Sequence, residues 1–478
     1  MKIKIFVFGL VVSALLITNN VHAQVKLTLR QCIDTGLANN LDVYRSNLQA
    51  QSDKINMNQA KMNLLPDLNG QAQQAFSQGR SIDPYTNSPV TQGVSSNYFS
   101  LSSGLVLFNG LSRINAIKQT TYAYQASQMD WQQVKDNLTI NIILAYLQVL
   151  NNVDLLAQAK IQAAYSEKQV QRLSDLNREG AIKPSDLSDL KGQYAGDRIS
   201  IVNQENSLET AKITLCQLLN IAYVKDLELE RIEPESFAAT TYNDTPDQIY
   251  QNALKSLALV KAVDLRLQSA QKGLQVARGQ LFPTLRFNAG ISTNYSSVAQ
   301  QNQYINTTYG QTKDSVFTSP GVGLPVYRFQ DNFTPLQKIP FRDQIDNNFY
   351  TQWGFTLNIP FFNQFQLRNK VKQAKLTLKS AQFIAKTTRT QLNQSVNQAY
   401  SNMTAASDRY KAGVDQVAAF TESFRAAEAR FNAGVGTSID YLLVKNSIDR
   451  ANISLINAKY DYVLRIKVLD YYEGKPLW

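Results

Sequence analysis

The chain contains two related stretches, Phe108-Asn109-Gly110-Leu111-Ser112 and Phe362-Asn363-Gln364-Phe365-Gln366, and each opens a long helical segment. The offset that carries the first stretch onto the second also superposes three further pairs: Ala145 and Ala399, Gly180 and Gly434, and Asp186 and Asp440. An internal repeat of this length predicts a pseudo-symmetric scaffold built from two structural copies. Such repeats more often form a tube or a surface than an enzyme active site.

Each copy is predicted to contain a helix, two strands and a long helical hairpin. A shorter offset carries Pro66 onto Pro283, so the second copy has additional residues between its two strands. These relations divide the chain into repeat 1, residues 24–235, with a hairpin tip at 180–186, and repeat 2, residues 236–478, with a long external loop at 296–348 and a tip at 434–440.

Residues 1–23 have the features of a secretory signal peptide. Lys2 and Lys4 precede an apolar run, and Val21-His22-Ala23 forms a small-x-small cleavage site. We therefore predict that the mature chain begins at Gln24. No later stretch is apolar over the length that a membrane-spanning helix needs, so no such helix is expected.

The composition argues against catalysis. His22 is the one histidine and lies in the predicted signal peptide, which leaves no imidazole for acid–base, nucleophilic or metal chemistry. No glycine-rich phosphate loop is present. The formal net charge of +11 is spread along helices, which favours a solvated surface over a nucleic-acid partner. We expect no enzyme, no cofactor and no metal site; a periplasmic carbohydrate-active enzyme with paired carboxylates is the weakest alternative.

The two cysteines, Cys32 and Cys216, lie near the beginning of the first helix and the end of the fourth. In an exported protein a disulfide between them would persist if these helix ends meet. The alternative is that both are buried small apolar side chains. The sequence leaves both interpretations open.

Alternation of apolar with small or polar residues predicts two strands in each copy. The apolar positions are Phe99, Leu101, Leu105 and Leu107, then Leu285, Phe287, Ala289 and Ile291, then Trp353, Phe355, Leu357 and Ile359. Tyr98, Phe99, Trp353 and Phe355 are candidates for aromatics at a lipid interface or for packing between strands. Four strands are too few to close a barrel, which takes about eight, so several chains would have to contribute.

Helices of unusual length separate these strands. Neither proline nor glycine occurs between Ser112 and Asn177, and apolar residues after each tip recur at alternating spacings of three and four or their sums. This spacing is typical of a coiled-coil seam. Shorter single helices are predicted for residues 28–64 and 246–281.

The two hairpin tips share one plan. Gly180 and Gly434 supply the left-handed residue that ends the incoming helix. Ser185 in the first tip, and Thr437 or Ser438 in the second, are candidates to cap the outgoing helix.

With its duplicated plan, its prolines, its Phe-Asn segments and its paired Gly-x5-Asp tips, the chain resembles the TolC family of outer-membrane efflux channels. The resemblance covers essentially the whole mature chain. It implies a mainly α protein with a small β part, in which antiparallel coiled-coil helices form an α-barrel and four strands per protomer form a twelve-stranded transmembrane β-barrel in a homotrimer. It also implies localisation in the outer membrane with a periplasmic extension.

The resemblance implies partners and functional residues as well. A periplasmic adaptor (membrane fusion protein) of an inner-membrane pump would dock at the tips, on Gly180, Ala181 and Ser185 and on Gly434, Val435 and Thr437. Asp440 takes the place of an inward-facing aspartate at the constriction, and Leu443 takes the place of a second one, which implies a more apolar constriction. For Asp186 and Asp440, stabilisation by the helix dipole is an alternative role.

The function that follows is a trimeric exit channel for a tripartite efflux or type I secretion system. The alternative is a surface adhesin or structural coiled coil whose binding region is the Tyr- and Asn-rich insertion. The alternating strands favour the channel, because an adhesin stalk has no use for a lipid-facing barrel.

Overall fold

The computed structural model describes residues 26–232 and 244–477. The predicted signal peptide and the predicted boundary between repeats at 235/236 lie outside these residues, so these two predictions stay untested. Two compact units make up the chain. The first consists of residues up to 55, 121–269 and 378–478, and the second consists of residues 56–120 and 270–377.

The described residues contain helices of very different lengths. They are α1 (Leu29–Asn39), α2 (Leu41–Met62), α3 (Ser112–Arg178), α4 (Pro184–Leu219), α5 (Pro246–Ser256), α6 (Ala258–Gly279), α7 (Phe341–Asn347), α8 (Gln366–Asn432) and α9 (Ser438–Glu473). The strands are β1 (Asp67–Ser77), β2 (Ser81–Ile82), β3 (Pro89–Val90), β4 (Val94–Phe108), β5 (Thr284–Ser296), β6 (Gln300–Gln301), β7 (Tyr304–Ser319), β8 (Val322–Phe333), β9 (Gln337–Lys338) and β10 (Tyr350–Asn358).

Helices at equivalent places in the two halves have the same lengths. Helices α1 and α5 have 11 residues and α2 and α6 have 22. Helices α3 and α8 have 67 and α4 and α9 have 36. Thr28 and Thr245 each form a capping box with the glutamine three residues later. The local sequence therefore specifies the same element ends twice.

The prediction of one unbroken helix over residues 28–64 is wrong. Asn40 has an extended backbone and separates α1 from α2. Its side-chain oxygen accepts hydrogen bonds from the amides of Asp42 and Val43, so it caps the second helix while ending the first. Leu257, also extended, breaks the predicted helix 246–281 in the same way between α5 and α6.

The strands β1, β4, β5 and β10 form one antiparallel sheet in that order. The strand ends that connect to helices all lie at one end of this sheet, because β1 and β5 follow helices whereas β4 and β10 precede them. The two loops lie at the opposite end. Strands β1 and β10 each have one unpaired side within the described chain.

The register assigns the two faces of the sheet. One face is polar and contains Asp67, Asn69, Ser102, Asn288 and Gln352 among its members. The other face is apolar and exposed. It contains Phe99, Leu101, Ile291, Trp353 and Phe355. Tyr98 lies on the polar face, so its grouping with Phe99 as a lipid-facing aromatic is wrong.

The external segment 296–348 is not simply a loop. Strands β7 and β8 form a long antiparallel hairpin, β6 pairs with β9, and α7 follows. Gln344 is buried and exchanges two hydrogen bonds with the backbone of Ser296, which ties α7 to the end of β5. The polar composition of this segment led to the prediction of a loop, so its strands and its helix were not predicted.

The cores lie among the long helices. The largest cluster joins α1, α3, α4 and α9 around Ile33, Ile142, Tyr146 and Leu215. Among the described residues, α3 alone is long and apolar enough to cross a membrane, but 44% of its most apolar window is buried in the protein and core helices pass the same test. The expectation that no later stretch is apolar over this length is therefore wrong, and α3 lies partly in the core of the helices.

We predict that Gly110→Ala destabilises the junction between β4 and α3. Gly110 has φ +62°, and a Cβ there would collide with the backbone oxygen of Gly279. The positive φ alone costs about 1–2 kcal/mol for a residue with a Cβ. The thermal unfolding temperature should fall. Gly192→Ala, in a helix with open space around it, should leave that temperature unchanged or raise it.

Candidate functional site

The first tip connects α3 to α4. Gly180 has φ +71°, and the amide of Ala181 donates to the Leu176 carbonyl at 2.9 Å, which closes the end of α3. Helix α4 begins at Pro184 with Lys183 as its N-cap and without a side-chain capping bond. The prediction that Ser185 caps this helix is therefore wrong, since Ser185 is already inside it.

The second tip connects α8 to α9. Gly434 has φ +75°, and the amide of Val435 donates to the Arg430 carbonyl at 3.1 Å. Thr437 is the N-cap, as predicted: its Oγ1 accepts from the Asp440 amide at 3.1 Å and donates to the Asp440 carboxylate at 2.8 Å. Asp440 therefore supports the first turn of α9 as well as presenting a charge.

Apolar side chains are exposed around the second tip. Val435, Ile439 and Leu443 are 74%, 64% and 63% exposed, and Asp440 is exposed beside them. Burying large apolar side chains is favourable, so an exposed group of them marks a contact surface. The predicted docking residues Gly180, Ala181, Ser185, Gly434 and Thr437 are exposed too.

Few contacts join the two tips. Ser438 is buried and donates from Oγ to the Asp186 carboxylate at 3.0 Å. Arg172 of α3 holds the end of α8 through the side chain and the carbonyl of Asn432. Tyr441 of α9 and Leu173, Leu187 and Leu190 of α3 and α4 form a buried apolar cluster, against which Phe431 packs. The tips are thus linked by two polar contacts and one buried apolar cluster.

A buried ionic cluster lies just beyond the tips. Lys445 of α9 contacts Asp197 of α4 at 3.2 Å and Asp449 at 2.7 Å, and its side chain is 2% exposed. Ser166 of α3 donates to the same Asp197 carboxylate, as does Gln193. Burial raises the pKa of Asp449, and the hydrogen bond from Lys445 partly offsets this increase. The cluster joins three long helices, and its central pair, Lys445 and Asp197, is almost fully buried.

The sequence reasoning missed this cluster. Lys445 lies four residues after Tyr441 and three before Ile448, both of which are buried. A charged residue at that spacing occupies a seam position, where it needs a partner of opposite charge. The signal was present, but the partner Asp197 belongs to the other repeat and could not be identified from spacing.

The two cysteines come together in the structure. Cys32 and Cys216 are free thiols, and both are buried in the cluster around Ile33 and Leu215. Burial, together with the neighbouring Cys216, raises the pKa of Cys32 to about 11. Both residues are thus buried thiols here, and a disulfide between them stays the alternative that the sequence left open.

Among residues 26–232 and 244–477, no group of three or more His, Cys, Asp or Glu side chains is placed to hold a metal ion. The candidate site is therefore a surface and a set of interhelical contacts.

Comparison with known sequences gives a family. The model of the family described as outer membrane efflux protein matches residues 32–220 and 249–469. The outer membrane protein TolC of Escherichia coli (strain K12) is 24% identical over 417 residues, which cover 85% of this chain and 74% of that protein. TolC of Salmonella enteritidis is also 24% identical, over 424 residues that cover 87% and 76% of the two chains.

Comparison with solved structures gives the same fold. The crystal structure of the outer membrane protein VceC from Vibrio cholerae superposes with a TM-score of 0.75 at 15% identity, and covers 94% of this chain and 97% of VceC.

We predict that Lys445→Met loosens α4 and α9 around the ionic cluster. It leaves Asp197 and Asp449 buried without a cation, and breaking a buried pair costs about 3–5 kcal/mol. Hydrogen exchange of residues 190–200 and 441–449 should accelerate. Adding Asp197→Leu should recover part of the protection, and Lys411→Met, at an exposed position, should have no effect.

The thiols should be unreactive in the folded protein. A buried Cys32 with a pKa of about 11 has almost no thiolate near neutral pH. A maleimide or disulfide reagent should therefore label neither cysteine in the folded protein and both after denaturation without reductant. Labelling that appears only after reduction would show the disulfide instead.

Proposed function

This chain belongs to the outer membrane efflux protein family, and from that premise we propose that it is a trimeric exit channel that closes at its helical tips and docks a periplasmic adaptor there. The family places it in the outer membrane and assigns it to transport. It also favours the channel over the adhesin. Assembly, closure and docking are the parts that we propose.

The sheet supports assembly into a trimer. Its apolar face is exposed, and both edge strands have an unpaired side within the described chain. In a bilayer every backbone polar group needs a partner, and a closed barrel provides one. Three copies would join β1 of one sheet to β10 of the next and close twelve strands. The polar face, with Asp67 and Arg286 paired at 3.1 Å, would then line the lumen.

The second tip supports closure. Asp440 and Leu443 are one turn apart on α9, and both are exposed. A threefold axis beside this face would bring three carboxylates and three leucines together. We propose that Asp440 and Leu443 form the constriction, with Asp440 favouring cations and Leu443 narrowing an apolar gap. The hydrogen bonds between Asp440 and Thr437 hold that carboxylate in place.

The exposed small residues of both tips support docking. A Cβ on Gly180 or Gly434 would meet nothing, so the backbone there is open to a partner. Val435 adds a large apolar contact. We propose that the adaptor of an inner-membrane pump contacts Gly180, Ala181 and Ser185 on one side and Gly434, Val435 and Thr437 on the other. Energy and cargo selection would come from that pump.

The observation that carries the proposal is the exposed pair Asp440 and Leu443 at the end of a helical hairpin in a chain of this family. We predict that Asp440→Ala raises single-channel conductance in a planar bilayer and reduces cation preference, because it removes both a charge and a side chain from the constriction. Single-channel recording with a salt gradient measures both.

Asp189→Ala is the matched control, since Asp189 is an exposed aspartate of α4. It should leave conductance and preference unchanged. If Asp440→Ala behaves like this control, the constriction is elsewhere. If trimer-sized wild-type protein shows no conductance, the channel itself is refuted.

A further inference from the structure

Exposed apolar side chains occur at all four junctions between strands and helices, at one end of the sheet. We call the four helix ends and connecting turns at this end the collar: residues 56–66, 109–120, 270–283 and 359–377. Its exposed apolar residues are Met62, Leu64, Leu65, Leu111, Ile114, Leu281, Phe282, Ile359, Phe361, Phe362, Phe365 and Leu376. Phe361 and Phe362 are 91% and 73% exposed. These side chains thus lie next to the strand ends in sequence and are open to a surrounding apolar phase.

The collar has cations but no acidic residue. Its charged side chains are Lys61, Arg113, Lys118, Lys272, Arg278, Arg368, Lys370, Lys372 and Lys375. The whole chain has 37 acidic residues to 48 basic ones, so a segment set of this size without one acid departs from the rest of the protein. None of these cations forms a salt bridge within the described chain. Arg113 contacts the Asn63 carbonyl, and Arg368 lies over the Phe365 ring.

Four of the cations lie at similar distances from the sheet-side ends of their helices. Lys61, Arg113 and Arg278 are each one residue from the sheet-side end of their helix, and Arg368 is two residues from it. At about 1.5 Å per residue, each lies within about 3 Å of its helix end along the axis. Lys370, Lys372 and Lys375 extend the charge along the next turns of α8.

Helix dipoles do not explain this arrangement. A cation is favourable at a helix C-terminus, which accounts for Lys61 in α2 and Arg278 in α6. Helices α3 and α8 present their N-termini to the sheet, where acids are favoured, yet neither has an acid in its first turn. Arg113 and Arg368 are on the unfavourable side. What these cations share is therefore their position next to the strand ends, and not the kind of helix end at which they lie.

From the charge and the position of the collar we propose that it binds anionic phospholipid headgroups of the membrane leaflet on the helical side of the barrel. This rests on the proposed insertion of the sheet in the outer membrane. Exposed phenylalanines and leucines enter the acyl region, and the cations behind them meet lipid phosphates. Basic residues next to an apolar anchor attract anionic lipid in this way, and each adds to the affinity.

The test is lipid selection by the purified full-length protein. It is equilibrated in mixed micelles of equal parts phosphatidylcholine and phosphatidylglycerol and washed, and the retained lipids are counted by mass spectrometry. The wild type should retain an excess of phosphatidylglycerol that falls as salt is raised. A collar variant carrying R368Q, K370Q, K372Q and K375Q should lose at least tenfold of that preference.

The matched control carries K168Q, K191Q, K255Q and K411Q, which removes the same charge from exposed positions outside the collar. It should keep the wild-type preference. A second collar variant with K370R, K372R and K375R keeps the charge and should also keep it. Circular dichroism and thermal unfolding confirm that each variant is folded, and if the glutamine variant is not, K61Q with K118Q replaces it.

Equal preference in the collar variant and the wild type would overturn the proposal, as would equal loss in the collar and control variants. A changed reversal potential in single channels with unchanged lipid retention would also overturn it, because the cations would then face the lumen. Lipid retention is measured without conductance. A protein that does not conduct but selects phosphatidylglycerol would contradict the channel and leave the collar in place.

Discussion

The open sheet is the constraint on which the rest of this structure depends. Strands β1, β4, β5 and β10 leave two edges unpaired and one apolar face uncovered in a single chain. Exposing that apolar face to water is unfavourable, and exposing the unpaired backbone groups of those edge strands to lipid is unfavourable as well. In the proposed trimer, a membrane and further copies of the chain satisfy both conditions together, and the polar second face lines a water-filled lumen.

The helices differ from the sheet, because the contacts that stabilise them are made within one chain. Tyr146 is fully buried and donates from its hydroxyl to the carbonyls of Leu27 and Glu230, which fixes the beginning and the end of the first half on α3. The cluster of Lys445, Asp197 and Asp449 joins helices of both halves. The helical part is therefore built by side-chain packing between distant residues, whereas the sheet of a single chain leaves an apolar face exposed and its two outer strands unpaired on one side.

Much of this could be predicted from the sequence, because repetition and periodicity are local properties. The strands, the long helices and the glycine-ended tips follow from them. The break at Asn40 could not be predicted from apolar spacing, since an asparagine side chain caps one helix while ending another. The β7–β8 hairpin was hidden by polar composition. Lys445 needed Asp197, which is distant in sequence, and Ser185 was displaced from its capping role by Pro184.

The contacts at the tips and those beyond them differ in strength, and this difference bears on closure. The polar contacts between the tips are one hydrogen bond from Ser438 to Asp186 and the contact of Arg172 with Asn432. Partly exposed polar contacts contribute about 1 kcal/mol or less. Breaking the buried contacts of Lys445 costs several times more, because charges would lose their partners away from water. The polar contacts at the tips are therefore weaker than those at the level of Lys445, and the buried cluster of Leu173, Leu187, Leu190 and Tyr441 contributes most of what holds the two tips together.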